Sequence, residues 1–94
     1  MISVIMFAYQ EDLSVFVPAV TSILDQKGPS FELILVLDDP ENTELASWVD
    51  ENLLSDDRVR VLRNKNNLGL ARSLNRAIEN ASGDFLCRMD ADDI

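Results

Sequence analysis

The 94-residue chain contains no histidine. For this stretch that excludes serine triads with a His base, His-ligated zinc and imidazole acid–base chemistry. A single cysteine, Cys87, rules out an internal disulfide. Its place in the apolar run Phe85-Leu86-Cys87 predicts a buried free thiol. Three glycines, Gly28, Gly69 and Gly83, are too scattered for a phosphate-cradling loop of the P-loop or dinucleotide type. Cations are scarce too: 8 Lys and Arg stand against 17 Asp and Glu, a net charge of −9. A sequence-independent grip on nucleic-acid phosphates needs Lys and Arg, so no nucleic-acid partner is expected. Attraction to an anionic membrane is disfavoured for the same reason. No apolar run approaches the ~20 residues of a membrane helix, and the start, Met1 to Phe7, lacks the basic flank of a signal peptide. A cytoplasmic location is the expectation.

What the chain does contain is an alternation of two hydrophobic periods. Ile2 to Phe7 reads as a buried parallel strand. A helical stripe follows at Leu13, Phe16, Val17, Val20, Ile23 and Leu24, closed by Lys27-Gly28-Pro29. Pro18 within it is tolerable if Ser14 is the N-cap, because Pro18 then falls in the first turn. Phe31 to Leu37 is a second strand, and Pro40 to Thr43 opens a helix with Leu45, Trp48, Val49 and Leu53 facing inward. Phe16 and Trp48 belong to the core. Arg58 to Leu62 alternates as a third, shorter strand. Asn66 or Asn67 then caps a third helix with the stripe Leu70, Leu74, Ala77, Ile78 and Ala81, ended by Gly83. Asp84 to Met89 is the fourth strand.

This pattern predicts one α/β domain over residues 1–94, a parallel four-stranded sheet of order 3-2-1-4 with helices on both faces. Ligands of such sheets bind beyond the carboxyl ends of the strands, at the switch between strands one and four. Tyr9 follows strand one, Asp38 and Asp39 follow strand two, and Asp90 and Asp92 follow strand four. Several carboxylates therefore share one edge. Two of them about 6 Å apart repel by roughly 3 kcal/mol at an effective dielectric of ~20, so a cation such as Mg²⁺ or Mn²⁺, hard and oxygen-loving, is called for. With no phosphate loop present, a nucleotide bound here needs metal to hold its diphosphate.

These residues resemble the glycosyltransferases of family 2, with their GT-A fold. Ser3-Val4-Ile5-Met6 leading to Tyr9 is similar to that family's opening strand, and Glu32 to Asp39 to its second strand with paired acids. Asn67-Leu68-Gly69-Leu70-Ala71-Arg72-Ser73-Leu74-Asn75 and Ala81-Ser82-Gly83-Asp84 resemble its third helix and turn, and Asp90-Ala91-Asp92-Asp93 its Asp-X-Asp metal motif. The sequence departs from the family where Phe7 replaces a frequent Pro, Gln10 a frequent Asn, and Pro40-Glu41 the usual Gly-Ser. The resemblance implies a Rossmann-like, nucleotide-binding half of a GT-A domain. In it Asp39 accepts a hydrogen bond from the base, Tyr9 lies by base or ribose, and Asp38 and Arg72 join the nucleotide site. Asp90 holds ribose or metal-bound water, and Asp92 ligates the metal.

It implies in turn an inverting, metal-dependent enzyme. Sugar passes from a nucleotide-diphosphate donor, a UDP-sugar being favoured, to a hydroxyl on a glycan or lipid-linked acceptor, in polysaccharide or surface-glycan synthesis at the inner face of the membrane. The catalytic base is expected downstream of these residues, so this stretch alone should not transfer sugar. An exposed strand-four edge would then favour a homo-oligomer. Two other readings stand beside this one. A receiver-like Mg²⁺-binding signalling domain also has strand-end acids, but needs an acidic pair after strand one and a lone Asp after strand three, where Gln10-Glu11-Asp12 and Arg63-Asn64-Lys65 stand. A non-catalytic nucleotide-binding module is the other.

Overall fold

The structure, a computed structural model, describes residues 1–26 and 30–90, with Asp90 described by its backbone alone. Strands and helices alternate: β1 (Ile2–Ala8), α1 (Leu13–Leu24), β2 (Phe31–Leu37), α2 (Thr43–Asn52), β3 (Val59–Arg63), α3 (Leu70–Glu79) and β4 (Phe85–Asp90). The four strands form one parallel sheet of order β3-β2-β1-β4, as the sequence predicts. That order separates the chain from receiver domains, whose third strand lies beside the first.

Successive side chains of a strand point to opposite faces, so a strand covered on both sides reads as a continuous apolar run. Residues 33 to 37 of β2 are all buried for this reason. On one face Met6 and Ala8 of β1 and Leu33, Leu35 and Leu37 of β2 meet Phe16, Ala19, Val20 and Ile23 of α1, and Leu45 and Val49 of α2. Phe16 and Trp48 cross edge to face there, with ring centroids 5.7 Å apart. On the other face Ile5, Ile34 and Val36 meet Ala77, with Leu74 and Ala81 at the margin.

Local chemistry sets the helix ends, and here several expectations need correction. α1 starts earlier than expected: the N-cap is Asp12, not Ser14, and its carbonyl accepts from the amides of Val15 (3.0 Å) and Phe16 (2.9 Å). Pro18 is therefore an interior residue, and the Ser14 carbonyl loses its i+4 donor. Both positions are exposed, so water can take the missing donor's place. The expected closing sequence, Lys27-Gly28-Pro29, lies outside the described residues. The described end of α1 is held by Arg58, whose guanidinium donates to the Leu24 carbonyl at 3.1 Å while lying over the Phe31 ring. α2 begins as read, with the Asn42 side chain accepting from the Leu45 amide at 3.2 Å.

α3 is capped by Gly69 rather than by Asn66 or Asn67. Its buried residues are Ser73 and Ala77, whereas Leu70 and Ile78 of the expected stripe are exposed. Gly83 does not end this helix; Asn80 does, in a right-handed conformation. Gly83 serves a close approach instead: its amide donates to Ser3 Oγ at 2.8 Å, and a Cβ there would stand 2.5 Å from the same oxygen. Ser3 donates in turn to Glu32 (2.6 Å), which also accepts from the Ser82 amide, so the turn before β4 is pinned to β1 and β2. Cys87, expected to be buried, is exposed. β4 is an edge strand that the helices leave largely uncovered, and Phe85 and Leu86 are exposed with it.

Candidate functional site

Parallel pairing brings the strand ends to one edge. Ala8 pairs with Leu37, Leu37 with Arg63, and Phe7 with Asp90. Tyr9, Asp38, Asn64 and Asp90 thus stand along the carboxyl end of the sheet, where the chain turns from β1 to α1 and from β2 to α2.

Asp38 and Asp39, adjacent in sequence, have different surroundings. Asp38 is fully buried. One carboxylate oxygen accepts from Asn64 Nδ2 (2.6 Å) and the Leu68 amide (2.8 Å), the other from Asn67 Nδ2 (3.1 Å) and the Gly69 amide (3.0 Å). Burial pushes its carboxyl upward, but the hydrogen bonds from Leu68, Asn64, Gly69 and Ser73 outweigh that, and the net shift is downward. A buried carboxylate is costly unless fully satisfied, and this one is. Placed in the expected nucleotide site by its sequence, Asp38 instead spends both oxygens on the segment between β3 and α3.

The network continues behind it. Asn64, itself buried, also donates to Ser73 Oγ at 2.9 Å and accepts from Arg76 at 2.6 Å. Arg76 donates as well to the Arg63 carbonyl. The sequence reading gave Asn64, Ser73 and Arg76 no part in the site. A signal was available for Asn64, since it follows β3 as Asp38 follows β2, one step beyond the Leu37–Arg63 pair.

Asp39, in the connection from β2 to α2, is half-buried. Its Oδ1 accepts from the Glu41 amide at 3.0 Å, a local turn that orients the carboxylate. With Gln10, Glu11, Asp12, Asn42 and Glu44 it lines an open hollow of about 240 Å³. Tyr9 borders the same region: its amide donates to Glu11 at 2.5 Å, and its carbonyl accepts from Asn42 Nδ2 at 2.9 Å. Asn42 therefore both caps α2 and ties the loop after β1 to it. Arg72 sits on the first turn of α3, exposed, with no hydrogen bond or ion pair among the described residues, and does not line the hollow.

Four acids and two amide side chains make this wall rich in acceptors. It suits N–H and hydroxyl donors of a neutral group and repels phosphate. A second hollow, of about 230 Å³, lies between α1, β1 and β4 against Val4, Ile23, Phe31, Cys87 and Met89. It is mostly apolar, and among the described residues Gln26 and the Cys87 thiol are its polar lining groups.

Of the Asp-X-Asp motif, Asp92 and Asp93 lie outside the described residues, and the Asp90 backbone pairs with Phe7. Among the described residues no three His, Cys, Asp or Glu side chains gather to hold a metal ion. The donor set that the sequence supplies beyond β4 is purely carboxylate oxygen, which fits Mg²⁺ or Mn²⁺.

Known proteins share this sequence pattern and fold. The model of glycosyl transferase family 2 matches residues 3–94. An uncharacterized glycosyltransferase of Methanocaldococcus jannaschii is 34% identical over 94 residues, which are all of this chain and 32% of that protein. A UDP-Glc:alpha-D-GlcNAc-diphosphoundecaprenol beta-1,3-glucosyltransferase of Escherichia coli is 34% identical over 94 residues, again the whole chain and 36% of the relative. Among solved structures, a mannosyltransferase of Pyrobaculum calidifontis in complex with GDP-Man and Mn²⁺ superposes with a TM-score of 0.78. It is 23% identical, with 97% of this chain and 27% of that one covered. The chain spans about a third of the length of these relatives. The sheet order, the strand-end acids and the family match agree: the chain belongs to glycosyl transferase family 2.

Proposed function

We propose that the chain holds the nucleotide of a nucleotide-diphosphate sugar, as the donor-binding half of a GT-A glycosyltransferase domain that transfers the sugar to a hydroxyl acceptor. One observation carries the reading: the acceptor-rich hollow at the carboxyl edge of the sheet, with Asp39 held in its wall by a local turn. A carboxylate there accepts the imide N–H of a uracil-type base, an ionic acceptor on a neutral donor. Tyr9, tied to Asn42, gives base or ribose an aromatic neighbour. Arg72, uncommitted among the described residues, has the length and charge to turn toward the ligand. Asp38 keeps the segment behind these groups in place.

Asp90 and Asp92 would hold a divalent cation, Mg²⁺ or Mn²⁺. Such an ion neutralises the diphosphate leaving group when bound. The net charge of −9 and the acid-lined wall make that neutralisation a requirement for a diphosphate at this edge. The donors in the relatives' names include UDP-Glc and GDP-Man; a UDP-sugar is the donor proposed for this chain. Inversion at the anomeric carbon completes the reading. No residue of this chain is assigned the part of base.

Thermal shift of the chain with UDP, GDP, CDP and their sugars, each with and without Mn²⁺, tests the proposal. A ligand at about 100 times its Kd stabilises by roughly 2.7 kcal/mol. The expected result is manganese-dependent stabilisation by uridine nucleotides, abolished in Asp39→Ala and in Asp92→Ala. Stabilisation that is indifferent to metal, or retained in Asp39→Ala, would overturn it.

A further inference from the structure

We infer that Asp38 is a positioning residue for base selection: through the segment 64–69 it fixes the angle at which its neighbour Asp39 meets the nucleotide base. The inference rests on the nucleotide reading above and adds to it the origin of the site's selectivity.

The geometry is that of a clamp. The Asp38 amide donates to the Ala8 carbonyl at 2.9 Å, and the Asn64 amide to the Leu37 carbonyl at 3.0 Å, so the backbone at the end of β2 is held from both neighbouring strands. The Asp38 carboxylate then collects Asn64, Asn67, Leu68 and Gly69. One peptide unit farther on, Asp39 leaves this buried network for the hollow. Two Asp oxygens thus anchor one end of a peptide plane whose other end carries the reading group. Hydrogen bonds weaken steeply as they bend, so a small tilt of that plane changes which base edge Asp39 can meet. A network of buried, fully satisfied polar groups is rigid enough to hold such an angle.

Asn64 extends the clamp to α3 through Ser73 and Arg76, so Asp38 also sets where the first turn of that helix, with Arg72, stands relative to Asp39. No ligand contact is required of Asp38. Its part is to make one orientation of Asp39 much cheaper than the others.

The test compares UDP with GDP, in Mn²⁺, by titration calorimetry on the wild-type chain, Asp38→Asn and Asn67→Ala. Hydrogen exchange at the Leu68 and Gly69 amides is followed in parallel. Asp38→Asn keeps the shape and removes charge and acceptor capacity. Asn67→Ala leaves Asp38 in place and removes one exposed arm, which serves should the first variant fail to fold. The expected outcome is a UDP-to-GDP affinity ratio at least fivefold closer to one in each variant. Leu68 and Gly69 should exchange faster, with protection of Met6 and Leu35 unchanged. If both affinities fall by the same factor and the ratio holds, Asp38 is only a structural residue and the inference is wrong. A wild-type ratio of one leaves no selection to explain and also overturns it. A wild-type chain that binds neither nucleotide overturns the function proposed above, and this inference with it; faster Leu68 and Gly69 exchange would then mark Asp38 as a loop clamp alone.

Discussion

At Gly69 the backbone stands at φ 84° and ψ 170°, a combination that residues with a Cβ almost never adopt. Space is not the constraint, since nothing lies within 4 Å of a Cβ built there. The conformation aims the Gly69 amide at Asp38 while its carbonyl accepts from Ser73 at 3.1 Å. Gly69→Ala is expected to lower unfolding free energy by about 1–3 kcal/mol, measured by urea titration; a loss below a few tenths would mean that the segment relaxes freely. The paired acids were legible in the sequence as a pair, and their division of labour was not. Which of two neighbours turns inward depends on where the strand stops, and the decisive partners come from Asn64, Asn67 and two backbone amides 26 to 31 residues away. Cys87 was misread for a related reason: an apolar run states a preference for burial, not whether an edge strand has a neighbour to provide it.

Among the elements, α1 carries an avoidable defect. Pro18 interrupts its hydrogen-bond ladder at an exposed position, and nothing in the packing requires the ring there. Pro18→Ala is expected to stabilise the chain by about 1–3 kcal/mol, restoring the donor for Ser14; a matched pair of denaturation curves decides it. Among the described residues, the sequence rhythm located every helix and strand, with ends displaced by a residue or a few. α3 shows why its inner face was harder to name. Its buried line runs through Ser73 because Asn64 gives that hydroxyl a partner, so a polar residue occupies a core position and Leu70 and Ile78 are displaced outward. Hydrophobic periodicity has no access to a hydrogen bond formed between a strand end and the helix packed beside it.

For the molecule as a whole, three carboxylates tie folding to pH: Asp38, Glu32 and Asp56, the last held below 3.8 by the hydrogen bonds it accepts from Arg58. Asp38 is held below the usual Asp value of 3.8 as described. Glu32 is held below 4.5: burial opposes its ionisation, and Ser3, the Ser82 amide, Arg60 and the Gly83 amide outweigh it. Folded-state values below the unfolded ones mean that the stabilisation is complete above the ordinary carboxylate range and is lost as pH falls through the lowered values. Urea midpoints should therefore stay level from pH 7 to about 5 and fall below about 4.5, by up to about 1.4 kcal/mol per pH unit for each proton taken up. Asp38→Asn and Glu32→Gln should each flatten that fall; an unchanged slope in both would remove these residues from the account. The topology was legible in full, because parallel pairing and the handedness of crossovers leave few arrangements for this order of elements.

The central place of β1 also has a consequence in time. It is the first strand in the chain, and its second neighbour, β4, begins 83 residues downstream, Phe85 pairing with Ile2. At ribosomal rates of 5–20 residues per second, β1 waits about 4–17 s for the strand that completes its hydrogen bonding. Until then one side of this apolar strand is open. The slow, long-range closure that follows makes this interval, rather than any weakness of the finished fold, the moment at which the nascent chain most needs a chaperone.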